Sequence, residues 1–300
     1  MIPLRIGYII CGFATGLILL FNFLYSLPDG KLHIVFCDVG QGDAVYIRLP
    51  DGRDMLIDGG PNEKVIACLS RHMAFWDRKI DIIFLTHAEQ DHLRGLMPVV
   101  SRFDVGYAVL SAVPDTSEQY RQLMGALDGN KVPQKRLAAG DSLTAGNVTV
   151  EVMWPPKAVT NRLRDYAGVD DTPVLGVSAS GRNDLSLILR LRYGKFDMLS
   201  PGDASMGIET EHHDAVLADG GIEVLKVPHH GSKTGMTADY LDALHLGLAV
   251  ISVGRNTYGH PAPEILDMLA KKNIRVLRTD QEGDIEIISD GIDWTVQTNR

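Results

Sequence analysis

Five short apolar segments of this chain run into an aspartate or a histidine, and that pattern restricts the fold more than any other feature. Leu56-Ile57 leads to Asp58-Gly59-Gly60, Ile80 to Leu85 leads to Thr86-His87, and Leu199-Ser200-Pro201-Gly202 leads to Asp203. Glu223 to Val227 leads to Pro228-His229-His230-Gly231-Ser232, and Leu248 to Val253 is followed by Tyr258-Gly259-His260-Pro261. Short apolar runs closed by Gly or Pro read as buried strands. One polar residue at one strand end is ordinarily a cap or a turn. Five together predict a site at one edge of the sheets, because functional groups gather on loops leaving a rigid scaffold.

The densest stretch is Thr86-His87-Ala88-Glu89-Gln90-Asp91-His92, two imidazoles and two carboxylates in six positions. Carboxylates crowded together repel and resist ionisation unless a cation sits among them. Mixed nitrogen and oxygen donors suit zinc, manganese or iron. The bland alternative is a solvated loop that caps a helix through Asp91.

Around these ends the chain alternates strands and helices. Strands are expected at Leu32 to Phe36, Ala44 to Leu49, Met55 to Ile57, Ile80 to Leu85 and Val148 to Met153, with helices at Lys64 to His72, after Asp91-His92, and at Ser117 to Leu127. Residues 155–182 have little periodicity and read as the connection between two halves. The second half begins with strands Leu185 to Tyr193 and Phe196 to Leu199, continues around Glu223 to Val227 and Leu248 to Val253, and adds a helix from Pro263 to Lys272. Strands near Arg275 to Leu277, Asp284 to Ile288 and Trp294 to Gln297 close the chain. Two such series predict two packed sheets with helices outside.

Residues 1–30 read as a membrane anchor and linker, and residues 31–300 as one domain. Ile6 to Leu27 is almost wholly apolar, long enough as a helix for a bilayer core of about 30 Å. Arg5 before it, with Asp29 and Lys31 cancelling after it, places the N-terminus in the cytoplasm and the domain outside. The exit Leu24-Tyr25-Ser26-Leu27-Pro28 lacks a small-residue cleavage pattern, so the expected protein is single-pass and uncleaved. Three cysteines make no even framework; Cys37 and Cys68 read as buried thiols, leaving a disulfide open. A net charge of -9 counts against a protein that lives by phosphate-backbone contacts, less so if cations fill the cleft.

From Leu32 onward the chain resembles the metallo-β-lactamase superfamily, and more closely the extracytoplasmic domain of ComEC-type DNA-uptake competence proteins. Cys37-Asp38-Val39-Gly40-Gln41-Gly42-Asp43-Ala44 is similar to the DVGQGDA signature, Leu56 to Gly60 to the next motif, and His87 to His92 to H-x-D-x-D-H. Asn183 with Ser186 to Leu191, Gly202-Asp203, His229 to Ser232 and Tyr258 to Pro261 follow in the family's order. Two departures stand out. Glu89 replaces the usual second acid or histidine, and no histidine lies between His92 and Asp203, so one metal position is richer in oxygen and suited to manganese.

The resemblance implies an α/β fold, an αββα four-layer sandwich preceded here by one transmembrane helix, and two divalent metal ions, zinc or manganese. His87 and Glu89 would hold one ion, Asp91 and His92 the other, Asp203 would bridge them, and His229 or His230 would add a ligand. Asp91 and His260 are the implied catalytic residues, His260 polarising the phosphate or protonating the leaving oxygen. Asp38, Gln41, Asp43, Asp58, Asn183 and Ser232 would support the site. The implied activity is a phosphodiesterase or nuclease on DNA. Because one apolar segment cannot line a pore, a separate channel protein is an expected partner. A binding module with a decayed metal site and a hydrolase of cell-envelope esters are the competing readings. His212-His213 reads as a solvated helix face, His33, His72 and His245 as packing or surface residues, and Lys226, Lys233, Lys271, Lys272, Arg275 and Arg278 as a mild basic enrichment.

Overall fold

The computed structural model describes residues 4–111, 115–160, 183–205 and 221–300. Two sheets dominate it. The first contains β1 (Leu32–Phe36), β2 (Val45–Arg48), β3 (Asp54–Ile57), β5 (Ile82–Leu85), β7 (Ala108–Ser111), β8 (Gln134–Leu137), β16 (Ile285–Ser289) and β17 (Trp294–Thr298), in the order β17-β16-β1-β2-β3-β5-β7-β8. The second contains β9 (Ser142–Ala145), β10 (Val148–Trp154), β11 (Ile188–Tyr193), β12 (Phe196–Ser200), β13 (Val224–Lys226), β14 (Leu248–Ile251) and β15 (Arg275–Arg278), in the order β15-β14-β13-β12-β11-β10-β9. β4 (Lys79–Ile80) and β6 (Asp104–Val105) form a small parallel pair.

Period-two alternation builds the layers. Ile34, Phe36, Ile47 and Ile57 from the first sheet meet Val150, Leu189, Met198, Val224 and Val250 from the second in one apolar core. The intervening Val35, Tyr46 and Leu56 pack outward beneath α2 (Lys64–His72), α4 (Leu96–Arg102) and α5 (Glu118–Gly129). On the far side Leu199, Leu225 and Ala249 pack outward under helices Ala238–Leu244 and Pro263–Lys271. Helices, sheet, sheet, helices: the expected four layers are present.

In each sheet the strands that deliver polar residues run parallel, β3 beside β5 and β12 beside β13 beside β14. Their carboxyl ends therefore open on the same edge, where such sheets place ligands. Close loop packing holds that edge. A Cβ on Gly95 would lie 1.8 Å from the Gly59 carbonyl oxygen, and one on Gly42 would lie 2.2 Å from that of Asp91. Any side chain at Gly95 would collide with the Gly59 loop.

Several expectations change. The run Ile80 to Leu85 is two strands, because Asp81 leaves the line to exchange hydrogen bonds with Asp54 and β4 pairs with β6 instead. α3 (Gln90–Leu93) begins before Asp91 rather than after His92, so both ligand candidates sit in its only turn. Asn183–Leu185 is a 3-10 turn ahead of β11. The connection 155–182 lies mostly, and His212-His213 wholly, outside the described residues.

The N-terminal run is helical, α1 (Leu4–Ser26), with exposed Tyr8, Ile9, Phe13, Leu17 and Leu20. Among the described residues, however, no helix is long and apolar enough to cross a membrane. The expected transmembrane span is therefore not supported among the described residues.

Cys37 and Cys68 are not free thiols but a disulfide spanning 31 residues, tying the end of β1 to α2. Closing a loop of that length restricts the unfolded chain by about 3–4 kcal/mol. Replacing both cysteines with alanine is expected to lower the urea unfolding free energy by about that amount; an unchanged midpoint and slope would show the bridge contributes nothing.

Candidate metal centre

The site is assembled by the ends of β3, β5, β12 and β13 and the turn of α3. Asp58 follows β3 in a left-handed conformation, φ 59°, which turns its carboxylate back into the protein. There it accepts hydrogen bonds from the Thr86 amide at 2.8 Å and the Thr86 hydroxyl at 2.7 Å, and lies 2.8 Å from His92 Nδ1. His92 is thereby aimed with Nε2 inward, 3.3 Å from Asp203 Oδ1. His229 and His230 also adopt left-handed backbone, φ 49° and 54°, a sparsely populated region for non-glycine residues. The kink sends the two rings to different places. His230 is buried, its Nδ1 donates to the Ser252 carbonyl at 2.9 Å, and its Nε2 lies 3.2 Å from Asp91 Oδ2 and 3.4 Å from Asp203 Oδ2. His229 stays in the open cleft, 27% exposed in its side chain, 3.9 Å from Asp203 Oδ2.

Asp91, His92, Asp203 and His230 thus present one donor each within 4.8 Å of one another. Nε2 of His87, His92 and His230 is in each case buried without a hydrogen-bond partner. An unpaired buried polar atom is costly, and three imidazole nitrogens in one place fit a cation. Their Nδ1 atoms are held from behind by Asp58 or Ser252, and near Thr86 at 3.1 Å for His87, as metal-binding histidines are held. The residues fit a divalent metal ion.

Charge points the same way. Burial disfavours the ionised Asp203, yet His230, His92 and Lys226 outweigh it and hold the carboxyl well below the usual range. Burial likewise opposes protonation of His92 and His230, but Asp203, with Asp58 at the first and Asp43 at the second, raises both well above 6.5. Burial, with His92 beside it, pushes His87 down to about 3, leaving a neutral ring ready to ligate. Burial also raises Glu89, and Asp203 and Asp91 raise it further, as expected of acids gathered without a cation.

The other expected residues fall nearby in unequal roles. Glu89 Oε2 stands 4.0 Å from His87 Nε2 with its side chain 39% exposed, beside the four-ligand cluster rather than in it. Asp43 is buried and touches His230 Nδ1 at 3.4 Å. Gln41 Oε1 accepts from the Gly254 amide, Asp38 pairs with Arg300, and the Ser232 hydroxyl meets that of Thr234. Asn183 is buried beside Ser186. His260 is set by Asn256, whose side chain bonds both its amide and its carbonyl, and its ring centroid lies 5.5 Å from that of His229. Burial, with His229 and His230 close by, lowers its pKa and keeps it neutral.

One functional residue escaped the sequence. Lys226 does not line a surface track. It is fully buried, donating to the Gly202 carbonyl at 2.8 Å, lying 3.3 Å from Asp203 Oδ1, and pairing with Asp43. A lysine within the otherwise apolar Val224-Leu225-Lys226-Val227 was its only trace. His33 and His72 are surface and packing residues as expected, pairing with Glu286 and Asp284.

With this geometry in view, the comparisons are decisive. A family profile described as the metallo-beta-lactamase superfamily matches residues 37–255. The chain belongs to the metallo-beta-lactamase superfamily. ComE operon protein 3 of Bacillus subtilis (strain 168) is 27% identical over 292 residues, 91% of this chain and 34% of that protein. Competence protein ComA of Neisseria gonorrhoeae is 23% identical over 87% of this chain and 33% of its own length. The chain therefore spans about a third of the curated relatives it matches. Among solved structures, the metallo-beta-lactamase fold protein YhfI of Bacillus subtilis covers 86% of this chain and is itself covered completely, with TM-score 0.56 at 12% identity. Igni18, a metallo hydrolase of Ignicoccus hospitalis, covers 89% with TM-score 0.53 at 12% identity and is also covered completely. Both show the fold. This is a metallo-beta-lactamase-fold hydrolase with competence-protein relatives and a candidate metal centre at the edge where its parallel strands end.

Two outcomes follow for metal binding. Asp58→Asn, which weakens the support behind His92, is expected to lower zinc affinity by roughly 10–100-fold by calorimetric titration. Because Asp203, with Asp58 and Asp43, raises His92 and His230 well above 6.5, binding at pH 7 should release protons, and affinity should rise with pH. Titration in buffers of different ionisation enthalpy reads this directly; zero proton release contradicts it.

Proposed function

We propose that the chain is a metal-dependent phosphodiesterase, acting as a nuclease on DNA and using two divalent cations, zinc or manganese. The observation that carries this reading is the convergence of Asp91, His92, Asp203 and His230, of which Asp91, Asp203 and His230 line a cleft of about 950 Å³. That cleft is bordered by Arg94, Arg255 and Tyr258, groups suited to phosphate and to a base. Asp91, His92, Asp203 and His230 would hold a cation that, when bound, would activate water and neutralise charge on a phosphodiester. Asp91 and Asp203 orient what binds at the ligand cluster. His260, neutral and fixed by Asn256, donates a hydrogen bond to a phosphoryl oxygen rather than delivering a full proton.

The disulfide and α1 support an external, membrane-attached setting. Disulfides persist in oxidising compartments, and α1 leaves its apolar side chains exposed. On this reading the partners are DNA, the membrane surface and a separate channel protein.

The test is a screen of bis-nitrophenyl phosphate, DNA, RNA, cell-envelope polymers and β-lactams with zinc or manganese. Hydrolysis of the phosphodiesters, abolished by chelation, is expected, with His260→Ala reducing the rate by roughly 10²–10³-fold. Activity confined to cell-envelope polymers would move the substrate, and metal binding without hydrolysis would make the chain a binding module.

A further inference from the structure

Lys226 is the least expected group at the centre. A buried ammonium is tolerated only when paired and hydrogen-bonded, and both carboxylates that pair with it, Asp43 and Asp203, belong to the centre. The two oxygens of Asp203 are not equivalent. Oδ2 faces His230 Nε2 at 3.4 Å, whereas Oδ1 is shared between His92 Nε2 and Lys226 Nζ, each at 3.3 Å. Beyond Lys226 the remaining donors among the described residues are few. His87 and Glu89 stand 4.0 Å apart, Glu89 is partly solvated, and the sequence supplies no histidine between His92 and Asp203.

We infer that Lys226 is a built-in cation of the centre, holding Asp203 Oδ1 so that the resting protein keeps one divalent ion, on Asp91, His92, Asp203 and His230, while the His87–Glu89 position fills weakly. The inference rests on the metal-hydrolase reading and adds to it a residue that sets how many ions stay bound. The physical reason is charge. An ammonium on Asp203 neutralises the carboxylate that a second ion would share, and it repels that ion across a short distance in a poorly screened interior. Asp43, on the other side of Nζ, keeps the ammonium in place, and the Gly202 carbonyl completes its hydrogen bonding.

The protein is freed of metal with a chelator and titrated with manganese in the absence of substrate. Bound ions per chain are counted by elemental analysis after dialysis, and pairing of ions is read from the manganese electron paramagnetic resonance spectrum. One equivalent is expected to bind tightly and a second at least about tenfold more weakly, with no exchange-coupled signal at one equivalent. In Lys226→Met, which removes the charge but keeps the length, the second equivalent should tighten about tenfold or more and a coupled signal should grow in. Lys226→Arg, which retains the charge, should behave like the unmodified protein. Two equivalents of equal affinity in the unmodified protein would overturn the inference while leaving the hydrolase reading intact. So would a Lys226→Met protein, folded by circular dichroism, that has an unchanged second affinity. If Lys226→Met does not fold, the unmodified protein's two affinities decide alone. No bound ion at all would overturn both the inference and the reading beneath it.

Discussion

The Asp203 carboxylate, buried with His92, His230 and Lys226 around it, is the contact on which the rest of the centre depends. A lone carboxylate at that depth would be costly to ionise. It is ionised because three nitrogen groups face it, and those groups face it because separate strand ends deliver them. Asp203 follows β12, Lys226 ends β13, His230 lies in the turn after β13, and His92 arrives from α3, behind β5 of the other sheet. The centre thus spans both sheets, and the apolar core between them fixes its dimensions.

The arrangement also explains where backbone strain is tolerated. Asp58, His229 and His230 are left-handed and non-glycine, and each sits within one residue of a side chain the centre needs. At the His229-His230 kink, adjacent imidazoles part company, one into the buried cluster and one into the cleft beside His260. Two identical neighbours therefore have different chemistry, set by backbone conformation alone. The Asp58 turn does the complementary work of holding Thr86 and His92 from behind.

Much of this was legible in the sequence, for identifiable reasons. Polar residues after apolar runs marked Asp58, His87, Asp203, the His229-His230 pair and His260, because a buried parallel strand writes a continuous apolar word that stops abruptly at the sheet edge. The helix Lys64–His72 was readable to the residue from its periodicity. Strands such as β8 and β9, Gln-Lys-Arg-Leu and Ser-Leu-Thr-Ala, were silent because they are short, partly exposed and poor in β-branched residues. The split at Asp81 and the choice between His229 and His230 depend on hydrogen bonds to distant residues, which no local pattern encodes. Lys226 and the Cys37–Cys68 bridge were hidden for the same reason. A lysine is usually solvated and a cysteine among apolar neighbours usually free, and only long-range pairing reverses those expectations.

The central claim is that Asp91, His92, Asp203 and His230 are ligands to one metal ion. It is tested most directly by anomalous diffraction from crystals grown with zinc, recorded on both sides of the zinc absorption edge. The account predicts an anomalous peak at about 2.0–2.2 Å from His92 Nε2, His230 Nε2 and an oxygen of each aspartate. A peak confined to other side chains, or no peak at saturating zinc, would contradict it.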